Sequence, residues 1–566
     1  MVHAPSWRVL AASLFLVVGA GSVSAQTAPP LAKGPGHAAI ASANYLATNA
    51  GFEVLGKGGN AFDAAVAVSS TLAVVEQQSS GIGGGFMALL HRASDNRDIF
   101  IDARETAPKA VDMKVYVGKD GQPNRDTSTN GPLSAGIPGE PAGLVWMATH
   151  YGKLPLSVSL APAIRIATEG FQPDARFLGT IEDRKDVLSR YPASAAIYLP
   201  GGKVPSAGWT LKQPDLAKTL QRLASKGHDG FYKGETAKLL VDASRGAGGN
   251  WTAADLEAYQ AKEREPLSVE YKGYRIVTAP PPSSGGIAIA EILNILAGFD
   301  LAKLDVAHAT HLTIESMRRA FRDHNEYLGD PDFVKMPLDM LLSKYYADGL
   351  RATISPDKAT PSDLLPTSMA PEPGMHTTHF SVIDADGNMV ASTLTVNLEF
   401  GSAFVAKGTG VVLNDEMDDF ALVPGQPNAF GLRGALANAP EPGKRMLSSM
   451  SPSFVFGADR TAVIGSPGGS TIITQVLEGI LAFIDGKSAT QITAQKRYHH
   501  QYLPDRVDVE AGVFDDATTK ALTDMGHVLR NRSPWGFMNV VTWDHRTNTL
   551  DAASDPRRPS GLGKVQ

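Results

Sequence analysis

Cysteine is absent from all 566 residues of the chain. This absence excludes disulfides, cysteine nucleophiles, and thiolate-bound metal or iron–sulfur sites. An excess of positive charge is also missing, since 52 basic against 58 acidic residues give a formal net charge of −6. That balance argues against a nucleic-acid partner. The sequence contains no His-Glu-x-x-His zinc helix, no Gly-x-Ser-x-Gly nucleophile elbow and no phosphate-binding glycine loop. We therefore expect no metal and no cofactor.

The composition does provide a large hydrophobic core. Hydrophobic residues make up 43% of the chain and charged residues 19%, which excludes a disordered protein. At the N-terminus, Arg8 precedes an apolar run over residues 9–21, followed by Val23-Ser24-Ala25. This pattern is typical of a secretory signal peptide, and the run is shorter than the roughly 20 residues of a membrane-spanning helix. We expect cleavage near Ala25, a signal peptide over residues 1–25, and a mature periplasmic or secreted protein outside the membrane.

Strands and helices are mixed along the rest of the chain. Asn60 is a plausible N-cap for an apolar helix from Ala61 to about Val75, and residues 86–90 read as a buried strand. Residues 352–376 are polar and rich in proline, which predicts an exposed linker. After the linker, strands are predicted over residues 378–384, 389–397, 410–413 and 453–456. The pattern favours stacked sheets covered by helices, an α+β fold.

A hairpin follows the linker directly. Residues 384–388 (DADGN) form a turn, and a three-residue loop sets Asp384 opposite Asn388. The same register sets Thr377 opposite Thr395, with Cβ atoms about 4.5–5.5 Å apart. Asn397 shares this face. The spacing alone leaves two interpretations open, a solvent-exposed polar stripe or a reactive centre.

Thr377 could act as a nucleophile if the peptide bond before it were cut. A threonine hydroxyl needs a base, and the α-amine of an N-terminal threonine can be that base. A free α-amine has a pKa near about 8, so it is partly neutral at working pH. The proline-rich segment before Thr377 fits a stretch that is cut and moves away.

At this point the chain resembles the gamma-glutamyltranspeptidases, members of the N-terminal nucleophile hydrolases. The motifs that carry the resemblance occur in the family's order over nearly the whole mature chain. They are residues 58–65 (GGNAFDAA), 79–85 (SSGIGGG), 104–108 (RETAP), 280–286 (PPPSSGG), 329–333 (GDPDF), 377–381 (TTHFS), 414–420 (NDEMDDF), 447–452 (LSSMSP) and 465–470 (GSPGGS). Each motif alone is weak, but the ordered set is specific.

The resemblance implies a four-layer αββα sandwich made from a precursor that cuts itself between His376 and Thr377. The products would be a large chain of residues 26–376 and a small chain of residues 377–566. It further implies cleavage of glutathione and other γ-glutamyl amides through a γ-glutamyl-Thr377 intermediate. Water, an amino acid or a peptide would accept the acyl group. The expected partners are therefore small-molecule substrates.

Site residues follow from the same resemblance. Thr377 is the nucleophile, Thr395 orients it, and Gly468 and Gly469 form the oxyanion hole. The binders of the substrate α-carboxylate are Arg104, Ser448 and Ser449, and those of the α-ammonium group are Asn397, Glu416 and Asp419. Without the resemblance, Arg104 would be a structural ion pair, Asp419 part of a solvated turn, and the glycines a tight strand-to-helix turn.

Residues 424–443 resemble the lid loop that covers the donor site in many bacterial members. Phe430 stands where a lid tyrosine is common, so packing is expected to persist while a phenolic hydrogen bond is lost. Glu416 likewise stands where some relatives carry glutamine. Two alternatives remain: a glutaryl-cephalosporin acylase on the same fold, and an exported binding protein without catalysis. Glutaryl groups lack the α-ammonium, so Asn397, Glu416 and Asp419 favour γ-glutamyl substrates.

Overall fold

The computed structural model describes Met1, residues 34–365 and residues 377–566. Apart from Met1, the predicted signal peptide lies outside the described residues, as does His376. The strands of the described residues are β1 (Ala39–Ser42), β2 (Gly85–Arg92), β3 (Arg97–Ala103), β4 (Lys262–Arg264), β5 (Leu267–Tyr271), β6 (Tyr274–Thr278), β7 (Thr378–Ile383), β8 (Met389–Thr395), β9 (Val405–Ala406), β10 (Val411–Val412), β11 (Ser453–Phe456), β12 (Arg460–Gly465), β13 (Tyr498–His499), β14 (Val507–Glu510), β15 (Leu529–Arg532), β16 (Asn539–Asp544), β17 (Thr549–Ser554) and β18 (Leu562–Val565).

The α-helices of the same residues are α1 (Tyr45–Gly56), α2 (Ala61–Val75), α3 (Arg125–Thr129), α4 (Glu140–His150), α5 (Leu156–Glu169), α6 (Ala175–Leu188), α7 (Pro192–Tyr198), α8 (Pro214–Lys226), α9 (Asp229–Tyr232), α10 (Gly234–Gly246), α11 (Ala253–Glu257), α12 (Gly285–Leu296), α13 (Val306–Tyr327), α14 (Leu338–Leu341), α15 (Lys344–Arg351), α16 (Thr471–Ile484), α17 (Ala489–Ala494) and α18 (Asp516–Asp524). None of these helices is long and apolar enough to cross a membrane.

Two large antiparallel sheets form the centre of the molecule. The first has seven strands in the order β18-β1-β7-β8-β2-β3-β4, and the second has six in the order β17-β16-β12-β11-β6-β5. Two small sheets, β9-β10 and β13-β14-β15, lie outside them. The predicted hairpin is therefore β7–β8, in the middle of the first sheet.

Alternation along the strands separates the layers. In β2, Phe86, Ala88 and Leu90 pack into the core that contains helix α2, whereas Met87 and Leu89 pack into the core shared with the second sheet. Successive side chains of a strand point to opposite faces, so the first sheet is covered by helices on one side and by a sheet on the other. Helices α12 and α16 pack in this second core. The layers are α, β, β and α, as the resemblance implied.

The local signals were accurate for helix α2. It covers the predicted residues 61–75, and its N-cap Asn60 accepts from the N–H groups of Phe62 and Asp63 while the Asp63 carboxylate accepts from the Asn60 N–H. This reciprocal capping satisfies backbone donors that a helix start leaves unpaired.

The predicted linker over residues 352–376 is mostly exposed where the structure describes it, but two of its residues are packed against the protein. Ala359 and Ser362 are buried. The Ser362 hydroxyl donates to the Tyr502 carbonyl at 2.7 Å, and its N–H donates to an Asp505 carboxylate oxygen at 2.7 Å. These bonds anchor the segment, so the prediction of an exposed linker holds for most of its described residues but is wrong for Ala359 and Ser362. A proline-rich composition signals the loss of regular structure but not the loss of packing.

Candidate active site

The β7–β8 hairpin has the register expected from its turn. Thr378 is paired with Leu394, and Ile383 with Met389. One position further on, the Thr377 hydroxyl donates to the Thr395 hydroxyl at 3.2 Å, and both side chains are buried. The Thr395 oxygen also accepts from the Asn397 N–H at 2.8 Å. The Thr395 oxygen is thus held in place by the backbone and accepts from the Thr377 hydroxyl. The interpretation as a solvent-exposed stripe is wrong.

A cleft opens above Thr377. The predicted site residues that line it are Thr377, Thr395, Arg104, Asn397, Glu416, Asp419, Ser448, Ser449, Gly469 and Phe430. Gly468 does not line the cleft but precedes Gly469 directly. The structure therefore brings residues from distant parts of the chain to one place, and the hydroxyl pair lies in the same cavity as the charged groups.

Arg104 is the centre of the charged groups. It follows β3 directly and is almost completely buried, as are Glu105 and Glu416, whereas the Asp419 side chain is 12% exposed. Its guanidinium lies 2.6 Å from a Glu416 carboxylate oxygen, 2.5 Å from one of Asp419 and 3.6 Å from one of Glu105. It also donates to the carbonyls of Met446 and Leu447. The motifs predicted separate roles for Arg104 and for the carboxylates of Glu416 and Asp419, but in the structure these groups form one cluster of ion pairs.

Burial and charge act in opposite directions on this cluster. Burial raises the pKa of Glu105 to about 7 and that of Asp419 to about 6, although Arg104 opposes both shifts. Burial also raises the pKa of Glu416 well above its usual range. For Arg104, burial lowers the pKa, but the three carboxylates outweigh it and the net shift is upward. One guanidinium cannot compensate three buried carboxylates, so the cluster retains protons near neutral pH.

The serines lie on the wall beside Arg104. The Ser448 carbonyl accepts from the N–H of Ser284 at 2.8 Å and from its hydroxyl at 2.7 Å, which fixes the backbone of this segment. The Ser448 hydroxyl oxygen accepts from the Met450 N–H at 3.1 Å. The side chains of Ser448 and Ser449 both line the cleft. Two hydroxyl groups therefore line the same cleft as the guanidinium, a combination of donors that suits a carboxylate.

Asn397 offers an acceptor to the cleft. Its side-chain N–H group donates to the Asp415 carbonyl at 3.0 Å. The amide oxygen therefore remains for a donor such as an ammonium group. Asn397 has a φ of 76°, a left-handed conformation that asparagine tolerates better than most residues.

The Gly468-Gly469 pair forms the turn into α16. Its φ values are +137° and +57°, where side chains are strained, and a Cβ on Gly469 would lie 2.4 Å from the Phe430 ring. The Gly468 carbonyl accepts from the Thr471 hydroxyl at 2.7 Å. Neither glycine N–H donates to another group in the described part of the chain. Two N–H groups at a helix start are therefore free to donate to an anion.

Two asparagines of the lid loop, which were not among the predicted site residues, donate hydrogen bonds to Asp419. Asn428 donates to an Asp419 carboxylate oxygen at 3.0 Å, and its own side-chain oxygen accepts from the N–H groups of Phe430 and Leu432. Asn438 donates to the Asp419 carbonyl at 2.7 Å. Phe430 is buried over Gly469. No periodicity marks residues of an irregular loop, so the sequence held no signal for these contacts.

Further cleft residues from the same loop and from α13 include Arg433 and His324. Burial lowers the pKa of His324 to about 4, so this imidazole is neutral at physiological pH. Neither residue belongs to a motif quoted above. Their place in the cleft follows from the tertiary packing.

Comparisons with known proteins extend over nearly the whole chain. A family model described as gamma-glutamyltranspeptidase matches residues 47–565. A glutathione hydrolase proenzyme from Pseudomonas sp. (strain A14) is 42% identical over 539 residues, covering 92% of this chain and 93% of that protein. One from Escherichia coli (strain K12) is 41% identical over 529 residues, covering 92% and 91%. The crystal structure of a cephalosporin acylase from Bacillus halodurans matches with a TM-score of 0.82 at 28% identity, covering 96% of this chain and 98% of the other.

Proposed function

Because the chain belongs to the gamma-glutamyltranspeptidase family, we propose that the protein is a γ-glutamyl hydrolase and transpeptidase with Thr377 as its nucleophile. One observation carries the proposal. The cleft that contains the hydroxyl pair of Thr377 and Thr395 also contains the buried ion-pair cluster of Arg104, Glu416 and Asp419. A nucleophile and a site for a zwitterion therefore face the same space.

Substrate binding would exchange the internal ion pairs for external ones. A γ-glutamyl group carries an α-carboxylate and an α-ammonium on one carbon. The carboxylate binds Arg104 with the hydroxyls of Ser448 and Ser449, and the ammonium binds Glu416, Asp419 and the oxygen of Asn397. Each charge of the ligand replaces a charge of the cluster, so no buried charge loses its partner.

The reaction is an acyl transfer in two steps. The Thr377 oxygen attacks the γ-carbonyl, a C–O bond forms, and the C–N bond of the substrate amide breaks. The hydroxyl proton passes through the α-amine of Thr377 to the leaving amine. The N–H groups of Gly468 and Gly469 stabilise the oxyanion. Water or an acceptor amine then attacks the ester and releases Thr377.

Maturation uses the same hydroxyl. We infer cleavage between His376 and Thr377, giving chains of residues 26–376 and 377–566 after removal of residues 1–25 during export. Thr377 has a φ of 132° in the uncut chain. This conformation strains a β-branched residue, and hydrolysis of the preceding peptide bond releases the strain.

A cephalosporin acylase activity is the second candidate, because the B. halodurans neighbour has that title. A glutaryl group has no ammonium to replace Arg104 as the partner of Glu416 and Asp419. Binding it would leave two buried carboxylates facing an arginine that is already occupied. The cluster therefore favours γ-glutamyl donors.

The test combines mass spectrometry with two donors. The purified mature protein should consist of two chains, the smaller beginning at Thr377, and should cleave γ-glutamyl-p-nitroanilide faster than glutaryl-p-nitroanilide. Thr377→Ala should give one uncut, inactive chain. Thr378→Val is the matched control, since its hydroxyl is buried and has no hydrogen-bond partner among the described residues, and it should still be cut. Two chains from Thr377→Ala would contradict the self-cleavage, and preference for the glutaryl anilide would favour the acylase. A wild-type chain that remains single and inactive would indicate a binding protein.

A further inference from the structure

Arg433 brings a second guanidinium to the cleft from the lid loop. The loop is closed by bonds between its own ends: the Gly425 N–H donates to the Gly434 carbonyl at 3.1 Å, and the Asn428 N–H donates to the Leu432 carbonyl at 2.9 Å. Pro427 and Arg433 form a β-bridge. Arg433 therefore stands on a structured turn, and its backbone position is fixed relative to Asn428, which contacts Asp419.

The charge of Arg433 has no counter-ion in the described part of the chain. One terminal nitrogen, Nη1, donates to the Gly425 carbonyl, whereas Nε is enclosed and has no hydrogen-bond partner. Burial lowers the pKa of Arg433, and no carboxylate opposes that shift. Arg104 differs in this respect, because three carboxylates surround it. The cleft thus contains two arginines: the charge of Arg104 is balanced by carboxylates, and that of Arg433 is not.

The free edge of Arg433 fits a carboxylate. With Nη1 occupied by the protein backbone and Nε enclosed, the Nη2 group remains, and it can donate to an oxygen of a carboxylate. A partly buried cation without a counter-ion is unfavourable until a ligand supplies one. The ligand that completes this site is therefore an anion with an acceptor oxygen.

The proposed function identifies which carboxylate remains for Arg433. The α-carboxylate of the γ-glutamyl group is taken by Arg104. The other carboxylate in glutathione belongs to its leaving peptide, and an acceptor amino acid or peptide carries the same group. We propose that Arg433 binds the free carboxylate of the amino acid or peptide on the leaving-group and acceptor side of the cleft. This inference, which rests on the proposed function, makes Arg433 a residue that selects γ-glutamyl amino acids and peptides over uncharged γ-glutamyl amides.

Two donors that differ in this carboxylate provide the test. Glutathione has it and γ-glutamyl-p-nitroanilide does not. In Arg433→Gln, the ratio of kcat/KM for glutathione to that for the anilide should fall about 10-fold to 100-fold, as expected for a lost charge-assisted contact. Arg433→Lys should restore part of the ratio because it keeps the charge but loses the planar guanidinium that positions the donor. In transfer assays, the KM of glycylglycine should rise in Arg433→Gln, and that of glycylglycinamide should rise much less.

Arg546→Gln is the charge-matched control. This arginine is mostly exposed and pairs with Asp459 away from the cleft, so the ratio should not change. Correct cleavage into two chains reports that each variant folds. An unchanged ratio in Arg433→Gln, or an equal loss for both donors, would overturn the proposal, since an equal loss indicates a structural role in the lid. A wild-type enzyme that cleaves neither donor would contradict the proposed function itself.

Discussion

Replacing Arg104 by methionine should impair both the binding of the donor and the stability of the fold. The change removes the guanidinium that lies 2.6 Å from Glu416 and 2.5 Å from Asp419. Removing one partner of a buried ion pair typically costs about 3–5 kcal/mol, because the other charge stays behind. In the mature enzyme, the KM for γ-glutamyl-p-nitroanilide should rise by at least about 10-fold, since a charged contact to the α-carboxylate is lost.

Stability is best measured by urea unfolding in the uncut Thr377→Ala chain, so that subunit separation does not interfere. Without Arg104, the carboxyl groups of Glu105, Glu416 and Asp419 lose the charge that lowers their pKa values. A carboxyl group whose pKa is raised in the folded state binds more protons folded than unfolded, so its contribution to stability falls as pH rises through that range. The loss caused by Arg104→Met should therefore be larger at about pH 8 than at about pH 5.5.

Arg104→Lys separates charge from geometry in the same experiments. Lysine keeps the cation, so most of the stability should remain, but it cannot form the two-pronged contact and the donor KM should still rise. An unchanged KM in Arg104→Met would remove Arg104 from the binding site. Equal destabilisation at both pH values would refute the argument that uncompensated carboxylates cause the loss.

Two further substitutions test the catalytic groups. Gly469→Ala places a Cβ 2.4 Å from the Phe430 ring at a φ of +57°, so kcat should fall by about 10²–10³, the range for loss of an oxyanion donor. Gly486→Ala is the control, because Gly486 also has a positive φ of +88° but a Cβ there would lie 3.8 Å from the nearest atom. This variant should retain kcat. Similar losses of kcat in the two variants would indicate that backbone strain, not the oxyanion hole, is the cause. Thr395→Val removes the oxygen that the Thr377 hydroxyl contacts at 3.2 Å, and kcat should fall about 10-fold or more with little change in KM. A kcat equal to wild type would exclude an orienting role for Thr395.

The sequence predicted best the features that local geometry determines. The turn at Asp384 fixes the register of β7–β8, so the meeting of Thr377 and Thr395 followed from counting along two strands. The helix signal at Asn60 was equally local. The layers followed from the family resemblance rather than from the pattern of any one segment.

Contacts between distant segments could not be predicted from the sequence. Arg104 and Asp419 are 315 positions apart, and nothing in either segment indicates that they form an ion pair. The motif matches predicted that Arg104 binds the substrate α-carboxylate and that Asp419 binds the α-ammonium group, but not that the two side chains pair with each other. Their mutual pairing depends on how the turn after β3 meets the short helical segment Glu416–Asp419, which is a property of the assembled sheets.

The pairing explains how the cleft could distinguish its ligands by charge. Arg104 is already compensated, so it accepts a carboxylate favourably only when an ammonium arrives with it to pair with Glu416 and Asp419. A simple carboxylate, such as that of a glutaryl group, would leave those two buried charges without a partner. Arg433 has no such requirement, because no carboxylate of the described residues raises its pKa. Under the proposed function, the first position would therefore select a zwitterion and the second an anion, and a γ-glutamyl peptide supplies both in one molecule.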